Sequence, residues 1–346
     1  MEEIGDRILT NIQTHRGDVD INHMCIGDIV YDFNSGQEHT VRAVKKSRVE
    51  DIYQVDYSDG RSIITRETEL VYAGGMITCV RGLLEEMQKN KGYRTNPQFG
   101  EIKQQPIDYN MNKIVPPLEP DPYAAGALIM HGNMNSKYIN LPWLGVETNS
   151  YFLNKYKLIH GYEKNGYVSF FTYKGDISDK RIEWTEFFPR YSLMNISDEY
   201  KRASIEDRWK FVRGAFDIGY NTKTFPDDVG MICRSLSRLL NFQKLLWSIG
   251  IISTIRRYID REQDIHDIRY LLEVHCDPEL YPNFFYHQSY TEYFLEKNQK
   301  LNRRSPILKL RIQNIQKIGR GYSKRIVLDN IGTKFLTDNF LPKVSV

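Results

Sequence analysis

Two stretches decide how this chain folds: Tyr123-Ala124-Ala125-Gly126-Ala127-Leu128-Ile129-Met130-His131-Gly132 and Phe211-Val212-Arg213-Gly214-Ala215-Phe216-Asp217-Ile218-Gly219-Tyr220. Each reads as a short apolar helix with a glycine in its middle. Glycine inside a helix costs about 1 kcal/mol against alanine, so its presence needs a reason. The usual one is close approach of two helix backbones, which a Cβ would prevent. Gly126 and Gly214 are therefore candidate helix-packing residues. Taken alone, the echo also fits two unrelated buried helices with incidental glycines.

Around these segments helix and strand alternate. Helical pieces are expected at about 121–131, 149–158, 205–218, 229–249 and 289–298, and strands at 136–141, 167–173, 253–259 and 268–275. That mixture means an α+β domain. A proline-bearing stretch, 91–122, with Pro97, Pro106, Pro116, Pro117, Pro120 and Pro122, marks a linker before it. Residues 1–75 read as short strands and turns. Ile8-Leu9-Thr10 and Val41-Arg42-Ala43-Val44 are β-prone. Ile52–Tyr57 alternates with period 2 and enters a Ser58-Asp59-Gly60-Arg61 hairpin turn into Ser62–Thr65. A helix at about 78–90 follows. From 306 the β texture returns, in Ile307–Ile312, Lys324–Leu328 and Lys334–Thr337. Strands at both chain ends predict an all-β domain from 1–115 plus 301–346, interrupted by an α+β domain at 116–300.

Composition excludes several function classes. At 41% hydrophobic and 26% charged residues, the 346-residue chain can build a core in each of about two domains, and global disorder is excluded. No apolar run is long enough for a membrane helix. The Met-Glu-Glu start has no signal-peptide layout, which places the expectation inside a host cell or a virion. Net charge is only +3, too little for blanket nucleic-acid neutralisation. Residues 116–300 carry 23 Lys and Arg against 24 Asp and Glu, so the central domain has no cationic surplus of the kind DNA saddles show. The four cysteines form no C-x-x-C, and no phosphate-binding glycine loop is present. No small-molecule substrate is indicated.

The order of these features resembles the LAGLIDADG homing endonucleases of the intein-encoded kind. Pro122-Tyr123 precedes the first glycine helix. Phe187-Phe188-Pro189 and Ser204–Arg208 lie between the two, and Ser235–Leu239 and Leu245–Ile251 follow the second. The resemblance implies a pseudo-symmetric αββαββα domain whose two motif helices pack together above a saddle of strands. The flanks are similar to a Hint (intein splicing) domain. Gly5-Asp6, Ile26-Gly27-Asp28-Ile29-Val30 and Asp59-Gly60 through Thr65 match its opening, and Phe335–Pro342 its closing strand. The chain resembles a free-standing former intein.

The resemblance also implies chemistry, and the matching positions depart from it. Splicing would need a nucleophile where Met1 stands, a Thr-x-x-His where Thr65 and Thr68 stand, and His-Asn where Val344 and Ser345 stand. Self-splicing is not expected. DNA cleavage would need a carboxylate at the C-terminal end of each motif helix to hold a divalent ion. Those positions are His131 and Gly219. Asp217 lies two residues before Gly219, about 200° round the helix. No catalytic or metal-binding residue and no cofactor is expected. Mg²⁺ would enter only under the alternative, a solitary homing endonuclease or double-stranded DNA-binding protein acting through displaced carboxylates.

The leading expectation is a catalytically inactive protein reused as a structural or assembly component. Because inteins of this kind are common in phage genes, the resemblance implies phage structural proteins as partners. One segment stands out as a contact surface. Residues 297–325 hold ten Lys and Arg and no acid, among them Arg303, Arg304, Lys309, Arg311, Lys317, Arg320, Lys324 and Arg325. This is either a phosphate-tracking or acidic-partner patch, or the solvated side of a strand pair, since Lys309 and Arg311 alternate with Leu308, Leu310 and Ile312.

Overall fold

The computed structural model describes residues 11–46, 49–73, 76–89, 98–101, 106–109, 118, 120–131, 133–134, 139–142, 150–152, 154–155, 159–164, 167–171, 196–220, 224–258, 268–300, 309–322, 324–330, 334–337 and 342–344. The fold is α+β. In chain order the first strands are β1 (Ile12–Thr14), β2 (Gly17–Val19), β3 (Ile29–Tyr31), β4 (Glu38–Lys46), β5 (Glu50–Tyr57), β6 (Ser62–Arg66), β7 (Leu70–Ala73) and β8 (Met76–Cys79), followed by helix α1 (Val80–Lys89) and β9 (Gln98–Glu101). Then come α2 (Pro122–His131), β10 (Asn133–Met134), β11 (Ile139–Pro142), β12 (Ile159–Lys164), β13 (Tyr167–Phe171), α3 (Ile205–Gly219), β14 (Gly230–Cys233), α4 (Leu236–Ser248), β15 (Ile252–Tyr258), β16 (Arg269–His275) and α5 (Gln288–Lys300). The chain closes with β17 (Lys309–Gly321), β18 (Lys324–Leu328), β19 (Lys334–Leu336) and β20 (Pro342–Val344). No helix among the described residues is long and apolar enough to cross a membrane.

Two compact units result, one from Met1–Ile107, Gly250–Ile252 and Ile307–Val346, the other from Asp108–Ile249 and Ser253–Pro306. In the first unit both chain ends share sheets. Strand β18 pairs antiparallel with β4, setting Ile326 opposite Val44, and β17 pairs with β5, setting Ile315 opposite Val55. The sheet orders are β18-β4-β3-β1-β2, β6-β5-β17-β9 and β19-β20-β7-β8. Alternation puts one face of these strands inward, and Ile12, Val30, Val41, Ile52, Ile326 and Phe335 meet in one core cluster. The β5–β6 hairpin forms as its sequence predicts. Gly60 takes φ +85° at the turn, and Asp59 receives both the amide and the guanidinium of Arg61.

The second unit carries the motif helices and two sheets. One runs β10-β11-β13-β12, the other β14-β16-β15. Under a two-fold relation β11, β13 and β12 correspond to β14, β16 and β15. Among the described residues the second half shows no counterpart of β10. The expected helix at 229–249 divides: Gly230–Cys233 pairs with β16 as a strand, and the helix begins only after Ser235, whose hydroxyl caps the amide of Arg238. An aromatic core of Phe211, Phe216, Phe242 and Phe284 binds α3 and α4 to the turn before α5.

Candidate functional site

Helices α2 and α3 press together at their glycines, and the contact is reciprocal. A Cβ on Gly126 would lie 1.9 Å from the Phe211 carbonyl oxygen and 3.1 Å from the Ala215 amide. A Cβ on Gly214 would lie 1.9 Å from the Tyr123 carbonyl oxygen and 3.0 Å from the Ala127 amide. Each glycine thus meets the residues three before and one after its counterpart. Only local two-fold symmetry gives that relation twice. The obstacles are main-chain atoms, which cannot rotate away as a side chain can.

That symmetry fixes what stands at the C-terminal ends of the two helices. Five residues beyond the glycines are His131 and Gly219, and they face each other. A Cβ on Gly219 would meet His131 Nε2 at 2.3 Å, with Met231 Cβ next at 3.2 Å. His131 is half-buried, but its Nε2 is enclosed and has no hydrogen-bond partner among the described residues. Burial pulls its pKa down to about 4. A hydrogen bond to the Ala215 main chain opposes that shift, and Arg238 adds to it. The imidazole is therefore neutral at pH 7 and fills the space that the second helix leaves by having no side chain at 219.

Asp217, the nearest acid, is turned elsewhere, as its 200° offset predicts. It is buried. It accepts a 2.8 Å hydrogen bond from the Tyr123 hydroxyl and others from the Tyr286 amide (3.1 and 3.2 Å) and the His287 amide (3.3 Å). Desolvation raises its pKa to about 6, against the lowering effect of these bonds and of His287. It joins α2, α3 and the entrance to α5. Among the described residues no group of three His, Cys, Asp or Glu could hold a metal ion. The donor set at the helix ends, one imidazole and one glycine, does not fit a hard divalent cation, which takes oxygen ligands.

The splicing positions fare similarly. Thr65 is fully buried and donates to Glu69 Oε2 at 2.9 Å. Thr68 donates to Glu50 and receives Arg325 Nη2 at 3.3 Å. Between them Arg66, with no solvent exposure, lies 3.6 Å from Glu50 and 3.7 Å from Glu69. Where the Thr-x-x-His pattern would set an imidazole, this chain has a network of arginine, glutamate and threonine. Glu69 comes from the turn just after β6, three residues past Arg66, and Glu50 from the start of β5. Val344 ends β20, and Met1 and Ser345 lie outside the described residues.

The basic stretch finds acids from far upstream. Lys317 and Arg320 both reach Asp51, at 2.5 and 3.1 Å, Arg325 lies 3.5 Å from Glu50, and Lys324 bonds the Asn22 carbonyl. Lys309 and Arg311 lie opposite Glu101 and Gln98 in the β17–β9 ladder. Arg303 and Arg304 lie outside the described residues. The stretch is acid-free in sequence, but with Lys297, which pairs with Asp227, five of its cations have partners among the described residues.

No protein-family model matches the chain, and no curated protein does. Among solved structures it is similar to the gp41-1 intein, at 27% identity over 21% of this chain and 56% of that one, with a TM-score of 0.19. It is also similar to mesophilic variants of the homing endonuclease I-DmoI, at 10% identity over 53% and 96%, TM-score 0.31. I-DmoI in complex with DNA and Ca gives 9% identity over 44% and 81%, TM-score 0.30. The chain spans about half the length of the intein it matches.

Proposed function

We propose that this protein is a non-catalytic descendant of an intein carrying a homing endonuclease, kept as a structural or assembly component that binds other proteins, those of a phage particle in particular. The observation that carries this reading is the pairing of His131 with Gly219. Cleavage of DNA by this architecture would run through an ion held by oxygen ligands at the paired helix ends. Here a neutral imidazole packs into that place, and Asp217 is held by three internal donors. The close packing at Gly126 and Gly214 supports a scaffold retained for its shape. The test has two arms. Mass spectrometry of purified particles from the source organism should find the chain as a stoichiometric component. Gel shifts with duplex DNA at low and high salt should show no complex. A salt-sensitive complex together with absence from particles would favour a DNA-binding protein.

A further inference from the structure

Tyrosine hydroxyls in the second unit commonly serve internal bonds. Tyr151 donates to Asp121 at 2.5 Å, Tyr200 to the Pro120 carbonyl at 2.6 Å and Tyr220 to the Phe225 carbonyl at 2.8 Å. Tyr286 differs. Asp217 holds its amide, and its ring rests on those of Tyr123 and Tyr151, with centroids 5.4 and 6.1 Å apart. Yet Tyr286 is 56% exposed, and its hydroxyl makes no hydrogen bond among the described residues. It is a fixed aromatic surface facing outward.

Tyr286 walls a cavity of about 640 Å³ with Ser150, Tyr151, Asn154, Lys155 and Gln288. Among the described residues no carboxylate lines it. Lys155 forms no ion pair, and the Ser150 and Asn154 side chains form no hydrogen bond, among the described residues. The size falls within the range of small-molecule sites. We propose that this cavity binds a nucleoside phosphate. The base would stack on Tyr286, the phosphate would meet the Lys155 ammonium, and Ser150 and Asn154 would bond ring or sugar edges. An aliphatic anion would leave the ring face unused, and a neutral aromatic would leave Lys155 without a counter-charge. The cavity lies by the N-terminal end of α2, whereas His131 ends that helix nine residues on, about 13 Å away. The proposal is therefore independent of the inactive helix ends. The same chemistry is offered by a free nucleotide and by an unpaired nucleotide of a single strand.

The test is calorimetric titration of the full chain with AMP, adenosine and a short oligothymidylate. Saturable AMP binding is expected, with adenosine about tenfold weaker for lack of the phosphate contact. Tyr286→Ala should weaken AMP binding about tenfold or more, while Tyr286→Phe stays within about twofold of the parent. Lys155→Gln should remove the preference for AMP over adenosine. Oligothymidylate tighter than AMP identifies a strand as the source, and equal or weaker binding identifies the free nucleotide. No saturable binding to any of the three overturns the proposal. So does binding indifferent to Tyr286→Ala, or occupancy of this cavity by a proline-rich peptide with none by nucleotides. Both Tyr286→Phe and Lys155→Gln alter exposed groups, so their effects are readable on folded protein.

Discussion

Gly219 has no side chain where His131 has one, and the imidazole occupies the difference: a Cβ at 219 would sit 2.3 Å from Nε2. The obstacle is the far end of a side chain. Gly219→Ala therefore displaces the imidazole without parting the helices, and should cost about 1–2 kcal/mol. His131→Ala in the same background should recover most of that loss, measured as urea midpoints of the single and double variants.

Gly126→Ala and Gly214→Ala behave differently, because main-chain oxygens stand 1.9 Å from the new Cβ. The helices must separate. A helix-propensity gain of about 1 kcal/mol is outweighed by a loss of about 3 kcal/mol or more. The net loss of about 2 kcal/mol should lower the melting temperature by roughly 4–8 °C for a unit of this size. Near-UV circular dichroism during a thermal scan reads this directly. An unchanged midpoint would mean that the two helices do not touch there.

His131 and Asp217 pull stability in opposite directions with pH. His131 titrates near 4 when folded, below the usual 6.5, so the unfolded chain binds more protons between these values and stability rises with pH across that window. Asp217 titrates near 6 when folded, above the usual 3.8, so the folded chain binds more protons and stability falls as pH rises from about 4 to 6. Each effect is about 3 kcal/mol in size. They largely cancel from pH 4 to 6. His131→Leu should expose the fall and Asp217→Asn the rise, in chemical denaturation followed across that range.

Arg208 is buried in the core of the second unit. It donates to the Ala203 carbonyl and to the Ser248 carbonyl and hydroxyl, and it lies over the Tyr109 ring at 5.0 Å. Burial brings its pKa down to about 10. Arg208→Ala should cost about 3 kcal/mol, because the acceptors at the end of α4 lose their donor inside the core. Arg208→Lys should recover little of it, since a single ammonium cannot span three acceptors. Denaturant titration of both variants checks this.

Local chemistry made some elements legible and remote pairing hid others. The Gly126 and Gly214 contact could be read because glycine in an apolar helix has few other reasons. The β5–β6 hairpin could be read because Asp59-Gly60 interrupts a period-2 run. Strand β14 was hidden inside an expected helix, although Ser235 offered a cap signal at the true start. Strand β17 runs thirteen residues, far past the six its alternation suggested. Register shifts at 312–314 and 317–319 break the period that the eye follows. Arg208 and Tyr286 were missed because Ser248, Tyr123 and Asp217 reach them from distant segments, and Arg66 because Glu50 joins Glu69 only across the β5–β6 pair. The two helix ends were legible as positions, but only the structure brings His131 onto Gly219.

The most direct test of the central claim is nicking of supercoiled DNA by the purified chain with Mg²⁺ or Mn²⁺. The account predicts no conversion above the metal-only control at any protein concentration. Metal-dependent nicking that disappears in the Asp217→Asn or His131→Ala variant would contradict it, because an ion would then be held where the geometry leaves it no oxygen ligands.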